Sequence, residues 1–151
     1  MPLSNGTAIP SFGPGVYLVT NEEAPATVRA AVKNGYRLID TAAVYQNEAG
    51  TGEGIREALA ENNLKREDLF VTSKVWNHAL SYEGTIKAYE RSLHLLGLEY
   101  LDLFLIHWPS TGSFEANRKA LEDLYLDDRN KAIGVSNFEG RHLVSSSALR
   151  A

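Results

Sequence analysis

The chain has 151 residues, 44% hydrophobic and 23% charged, with a formal charge of −4, the composition of an ordinary globular domain with a core of its own. The acidic balance, with no lysine or arginine cluster to overcome it, argues against a nucleic-acid partner, and the absence of cysteine removes disulfides and thiolate metal sites. The opening MPLSNGTAIP has neither the basic nor the apolar region of a signal peptide. No apolar run approaches the roughly 18 residues of a membrane span, so the expectation is a cytoplasmic protein without membrane association.

Asn5-Gly6 between Leu3 and Ile9 predicts an N-terminal β-hairpin. Val16-Tyr17-Leu18-Val19, introduced by Gly13-Pro14-Gly15, reads as a first strand. Asn21-Glu22-Glu23 opens a helix with negative charge in its first turn. Pro25 belongs near that turn, Val28, Ala31 and Val32 form the buried stripe, and Gly35 is the stop. The same unit then recurs. Strand 37–40 precedes a helix over 47–61 with Ile55 and Leu59 on one face. Strand 69–74 precedes a helix opened by Ser81, carrying Ile86, Tyr89, Leu93 and Leu96 inward and stopped by Gly97. Strand 101–107 precedes a helix over 113–126 with Phe114, Leu121, Leu124 and Tyr125. A fifth strand, 132–135, leads into Ser136-Asn137-Phe138 and the start of one more helix. Strand starts at 37, 69 and 101 are 32 residues apart, which suits repeated βα units and a parallel sheet. The strands are near-continuous apolar runs, as expected where both faces are covered.

Three strands end on chemistry. Asp40 closes the first repeat, with Tyr45 five residues on, past the small residues Thr41, Ala42 and Ala43. Lys74 and His107 close the next two, and Ser136 follows the fifth strand. Parallel βα repeats allow an open doubly wound sheet or a closed (β/α)8 barrel. Active groups at the C-terminal ends of several successive strands favour the barrel, since an open sheet marks itself with one glycine-rich loop after its first strand. The residue types suit carbonyl reduction. A phenol releases its proton near pH 10, a neighbouring ammonium stabilises the phenolate, and a carboxylate keeps that ammonium charged. Histidine can orient the carbonyl oxygen. Taken singly, Asp40 reads as a strand-end cap, Lys74 as a solvated end and Tyr45 as packing; their joint placement points to one mouth. Gly50, Gly52 and Gly54 follow the wrong strand for a phosphate loop and fit a close-packed helix start. His78, His94 and His142 lack ligand spacing, so no metal is expected.

LIDTAAVYQNEAGTGEGIREAL, REDLFVTSKVWN, LGLEYLDLFLIHWP and KAIGVSNF resemble successive signatures of the aldo-keto reductase family, over residue 3 to about residue 143. The nearest likeness is to bacterial reductases of glyoxal, methylglyoxal or diketogluconate type. The resemblance implies one domain over 1–151, an α/β fold of the (β/α)8 TIM-barrel class, and NADPH-dependent reduction of small carbonyl substrates. It makes Tyr45 the proton donor, tuned by Lys74 and Asp40, with His107 positioning substrate. It assigns cofactor contacts to Gly15, Val16, Asp40, Ser136 and Asn137, and substrate walls to Tyr17, Trp76 and Trp108 beside His107.

Three departures from the family pattern stand out. Pro14 lies between the glycines of GPGVY, and Arg118 occupies a helix face expected to be apolar. Only five of eight barrel strands are counted, so the family's remaining strands and its cofactor-phosphate segments are missing from the sequence. The corresponding expectation is weak NADPH affinity, little turnover and self-association through unpaired edges at the first and fifth strands. The alternative is a non-enzymatic cofactor-binding or structural relative of the same fold.

Overall fold

Repeated αβ alternation builds the molecule outward from one parallel sheet. The computed structural model describes residues 1–77, 81–109, 114–140 and 142; His78, the expected helix start at Ser113 and the closing SSSALRA lie outside the described residues. Helix α1 spans Ala24–Lys33, β1 Leu38–Asp40, α2 Glu48–Glu61, β2 Phe70–Val75, α3 Tyr82–Leu96, β3 Leu103–Ile106, α4 Phe114–Leu126 and β4 Ile133–Val135. The four strands lie in the order β1-β2-β3-β4, every neighbouring pair parallel. Leu38 aligns with Phe70, Thr72 with Leu103 and Phe104 with Ile133. All four C-terminal strand ends therefore share one edge.

Local signals explain most boundaries. Pro25 sits in the first turn of α1, where a missing N–H costs nothing. The Ser81 hydroxyl accepts from the Gly84 N–H at 2.9 Å and caps α3, which Gly97 ends in the left-handed region at φ 64°. Helix α1 begins later than Asn21. Glu23 does not act as first-turn charge; its carboxylate accepts from the Thr20 N–H and hydroxyl and so closes the turn before the helix. At the N-terminus the hairpin forms a single antiparallel bridge, Pro2 to Ala8, turning through Gly6 at φ 84°. Its Asn5 amide donates to the Lys131 carbonyl at 2.8 Å and ties it across the start of β4.

Residues 16–19 do not form the expected strand. Only Gly15 bridges β1, with the Val16 N–H on the Asp40 carbonyl and the Asp40 N–H on the Pro14 carbonyl. Beyond that the chain turns: the Val19 N–H returns to the Val16 carbonyl at 3.2 Å, and Leu18 takes φ 63°. An apolar run that turns on itself cannot extend a ladder, so the sheet has four strands among the described residues. The segment before the turn partly covers the outer edge of β1, while the outer edge of β4 pairs with no strand among the described residues.

The core lies between the sheet and its helices. Val28, Ile39, Ile55, Val71, Tyr89 and Phe104 are all within it at 0–1% exposure, and Tyr89 meets Phe104 edge-on at 5.1 Å. Every residue of β2 is buried. In β3 burial alternates: Phe104 and Ile106 are buried, whereas Leu103 and Leu105 on the other face are half-exposed. Two-sided coverage therefore holds for β2 and not for β3 or β4. Arg118 is half-buried on α4 and pairs with Glu122 one turn on at 3.2 Å.

Below the strands, Asp102, 2% exposed, accepts from Arg66 at 2.7 Å, Lys131 at 2.9 Å and the Val71 N–H at 2.9 Å. No helix is long and apolar enough to cross a membrane among the described residues.

Close approach explains the glycines of α2. A Cβ at Gly50 would lie 2.0 Å from the Asn21 carbonyl oxygen, one at Gly52 2.2 Å from that of Leu96, and one at Gly54 2.8 Å from the Pro25 Cα. The obstacles are backbone atoms and cannot swing aside. Gly52→Ala should therefore lower stability by at least ~2 kcal/mol, read as a fall in denaturant midpoint with unchanged slope; a neutral substitution would contradict this packing.

Candidate active site

Lys74 is where the strand ends converge. Fully buried β2 carries it to the exit edge, where it is 6% exposed. A lone ammonium there would be costly. Its Nζ instead donates to both Asp40 carboxylate oxygens at 2.8 Å and to the Thr41 carbonyl at 2.9 Å. The register accounts for this: Asp40 aligns with Thr72, which shares a face with Lys74, so the carboxylate needs only to reach forward along the neighbouring strand.

Tyr45 arrives by the loop. Thr41 and Ala42 are fully buried, a 3₁₀ turn spans Ala43–Tyr45 and Gln46 closes it in the left-handed region at φ 58°. The Tyr45 hydroxyl comes to 3.5 Å from Lys74 Nζ. The ring packs edge-on against His107 at 5.7 Å, and Trp76 also meets His107 edge-on, at 5.3 Å. His107 is 6% exposed, and its Nδ1 is buried without a protein partner. Burial pushes its pKa below the ordinary histidine value; the Lys74 charge pushes the same way, against Asp40. Histidine there is neutral at pH 7 and can both donate and accept.

The remaining predicted residues divide. Asn137, at φ 61°, donates to the His107 carbonyl at 2.9 Å and contacts the Ser136 hydroxyl at 3.1 Å. Tyr17 lies 5.1 Å from the Tyr45 ring and is 64% exposed; Trp108 is also exposed. Gly15 stands beside Asp40, but a Cβ there would meet Asp40 Oδ2 at an ordinary 3.6 Å. Val16 is fully buried, with its N–H on Asp40 and its carbonyl taken by the Asn47 amide at 2.8 Å, so it offers no free polar group. Two clefts of about 410 and 460 Å³ open elsewhere, one beside Asn5 and Lys131 and the other beside Phe12 and Arg37, at the opposite ends of the strands. Among the described residues no group of three His, Asp or Glu could hold a metal ion.

Sequence reasoning missed the supports. Asn47, fully buried, bonds the loop before α1 and accepts from the Thr41 hydroxyl at 3.2 Å. Glu48, 3% exposed, accepts from Ser73 at 2.7 Å and Ser92 at 3.2 Å, bracing the residue before Lys74. The polar pair Asn47-Glu48, directly after Tyr45-Gln46 at the head of α2, was the available signal; nothing local marks Ser92 as a partner of Glu48.

A model of the aldo/keto reductase family matches residues 3–148. The chain belongs to the aldo/keto reductase family. An uncharacterized oxidoreductase of Bacillus subtilis, YtbE, is 56% identical over 93% of this chain and 51% of its own length. A glyoxal reductase of the same organism is 54% identical over 93% of this chain and 50% of its own. An aldo-keto reductase from a Medee basin deep-sea metagenome library superposes with a TM-score of 0.92 at 40% identity, covering 99% of this chain and 54% of that one. A Bombyx mori aldo-keto reductase in complex with NADP gives 0.92 at 33% identity, with 99% and 54% covered. The fold is thus that of the aldo/keto reductase barrel, and the chain spans about half the length of the curated relatives it matches. Its four parallel strands are the corresponding part of that barrel.

Two titrations probe this cluster. NMR should place the His107 midpoint below the roughly 6.5 of a free histidine, and Lys74→Met should move it upward; a midpoint at or above that value would remove the neutral imidazole. Burial raises the Glu48 pKa above the ordinary carboxylate value, against the pull of Ser73, Ser92 and Arg91. Its folded value exceeds its unfolded one, so its contribution is fully present below the unfolded pKa and lost as pH rises through the folded one. Glu48→Gln should therefore gain stability relative to the parent as pH rises from 4 to 8. Thermal melts across that range test the sign.

Proposed function

We propose that this chain carries the proton-donating half of an NADPH-dependent reductase of small aldehydes and ketones. The observation that carries the reading is the ammonium of Lys74, held by Asp40 and the Thr41 carbonyl, 3.5 Å from the Tyr45 hydroxyl and beside a neutral His107. Tyr45 gives its proton to the carbonyl oxygen as the carbon is reduced, leaving an alcohol and a phenolate that the Lys74 charge stabilises. Asp40 keeps that charge in place. His107, with an unpartnered buried nitrogen and edge-on contacts to Tyr45 and Trp76, orients the oxygen.

NADPH, when bound, supplies the hydride. The residues present fit its nicotinamide end: the partly exposed Asp40 carboxylate and the Ser136-Asn137 pair, already fixed to the His107 backbone, would hold it. Tyr17, Trp76 and Trp108 would wall the substrate, and glyoxal-type dicarbonyls are the expected class. The cytoplasm is the proposed setting, and the outer edge of β4 is where self-association would occur. A second reading is cofactor binding without turnover, favoured by the half-length match to the relatives.

Tyr45→Phe should cut methylglyoxal-dependent NADPH oxidation by about 10²–10⁴ with NADPH affinity, read by fluorescence, unchanged. Retained turnover in that variant removes Tyr45 as donor. NADPH binding without oxidation in the parent chain selects the second reading.

A further inference from the structure

Asn47 occupies the N-cap position of α2, a place where asparagine ordinarily accepts a bond from the helix's own N–H groups. Its side chain makes no such cap. The amide nitrogen donates instead to the Val16 carbonyl and the Val19 carbonyl, both at 2.8 Å. Two carbonyl acceptors on one side fix the nitrogen there, and the amide oxygen accepts from the Thr41 hydroxyl at 3.2 Å. With the residue fully buried, all its side-chain bonds are to protein, and none serves α2, whose Thr51 N–H takes only the Asn47 backbone carbonyl at 2.9 Å.

The two carbonyls are the first and last of the four-residue turn whose tip is Tyr17-Leu18. That turn has one internal bond, from the Val19 N–H to the Val16 carbonyl. Leu18 stands at φ 63°, a conformation in which leucine is unfavourable and which persists only where its surroundings impose it. Leu18 itself is 82% exposed, so its own side chain has few neighbours to impose it; the restraints on the turn are the clamp on its flanking carbonyls and the contact of Tyr17 with Tyr45. A second strap, from the Gly50 N–H to the Asn21 side-chain oxygen at 2.9 Å, holds the following residues to the same end of α2.

We propose that Asn47 is a positioning residue of the carbonyl-reducing mouth: its side-chain amide holds the Val16–Val19 turn, with Leu18 in the left-handed region, and so sets Tyr17 against Tyr45. Through Thr41, whose backbone carbonyl accepts from Lys74, the same side chain ties that wall to the loop around the ammonium. The proposal rests on the reading of Tyr45 as the proton donor for its functional meaning, and its structural content is measured without cofactor or turnover.

The test uses the full 151-residue chain with labelled tyrosine and asparagine. In the unsubstituted chain both Asn47 side-chain amide protons should exchange slowly, and Tyr17 and Tyr45 should show a ring-to-ring nuclear Overhauser effect. Asn47→Ser keeps a good N-cap and cannot span both carbonyls. It should abolish the Tyr17–Tyr45 effect and speed Val19 amide exchange about tenfold or more, while amides within α2 stay protected. In material that turns over aldehyde, KM should rise about tenfold with kcat little changed, the signature of lost binding rather than lost chemistry. Fast exchange of the Asn47 amide protons in the parent chain overturns the proposal, whatever any variant does. So does an Asn47→Ser chain that keeps the ring contact and Val19 protection, or that loses protection in α2 instead. Absence of turnover beside an intact effect of Asn47 counts against the reductase reading alone.

Discussion

A charged lysine at the buried end of a fully covered strand is the constraint on which this architecture turns. β2 has no exposed residue, so Lys74 reaches the sheet edge already stripped of water, and its charge is tolerable only with acceptors around it. Asp40 supplies two and the Thr41 carbonyl a third. Removing a partner from a buried pair typically costs about 3–5 kcal/mol, because the other charge is left uncompensated. The pair to which the proposal gives a chemical role is therefore a structural necessity in its own right, and the parallel register of β1 on β2 is what brings its halves together.

From that point the loop after β1 has little freedom. Thr41 is committed through its carbonyl to Lys74 and through its hydroxyl to Asn47. Four residues on from Thr41, the end of the 3₁₀ turn sets Tyr45 beside the ammonium, and Asn47 and Glu48 then turn inward, toward the first loop and toward β2 and α3 respectively. The site is thus supported mainly by the first turn of one helix. The glycines behind it let α2 sit against the backbone of its neighbours, so that turn has a firm seat.

Much of this was legible in the sequence because it rests on local rules. Pro25, Ser81 and Gly97 mark helix limits through missing donors, capping oxygens and left-handed backbone, and the structure follows them. Apolar runs ending in Asp40, Lys74 and His107 revealed a shared edge because strand direction alone delivers it. What was not legible depends on contacts distant in the chain. Val16-Tyr17-Leu18-Val19 has strand composition, yet a buried amide 28–31 residues away holds it as a turn. Glu48 carried no role in the sequence reading; its meaning lies in Ser73 and in Ser92, 44 residues on. The half-exposed leucines of β3 show the opposite case, where apolar composition promised coverage that the described residues do not provide.

The Asp102 cluster gives the molecule two ends with different work. Arg66, Lys131 and the Val71 N–H surround that carboxylate at the start of the strands, and the hairpin is fastened there through Asn5. None of these bonds reaches the mouth. That end of the sheet is thereby anchored independently of the mouth, which around its Lys74–Asp40 pair presents Tyr17, Leu18 and Trp108 as exposed side chains with little duty to the core. On the proposed reading, substitutions at those tips would change what the mouth admits without taxing the fold, leaving such a chain free to diversify over evolutionary time while its scaffold stays put.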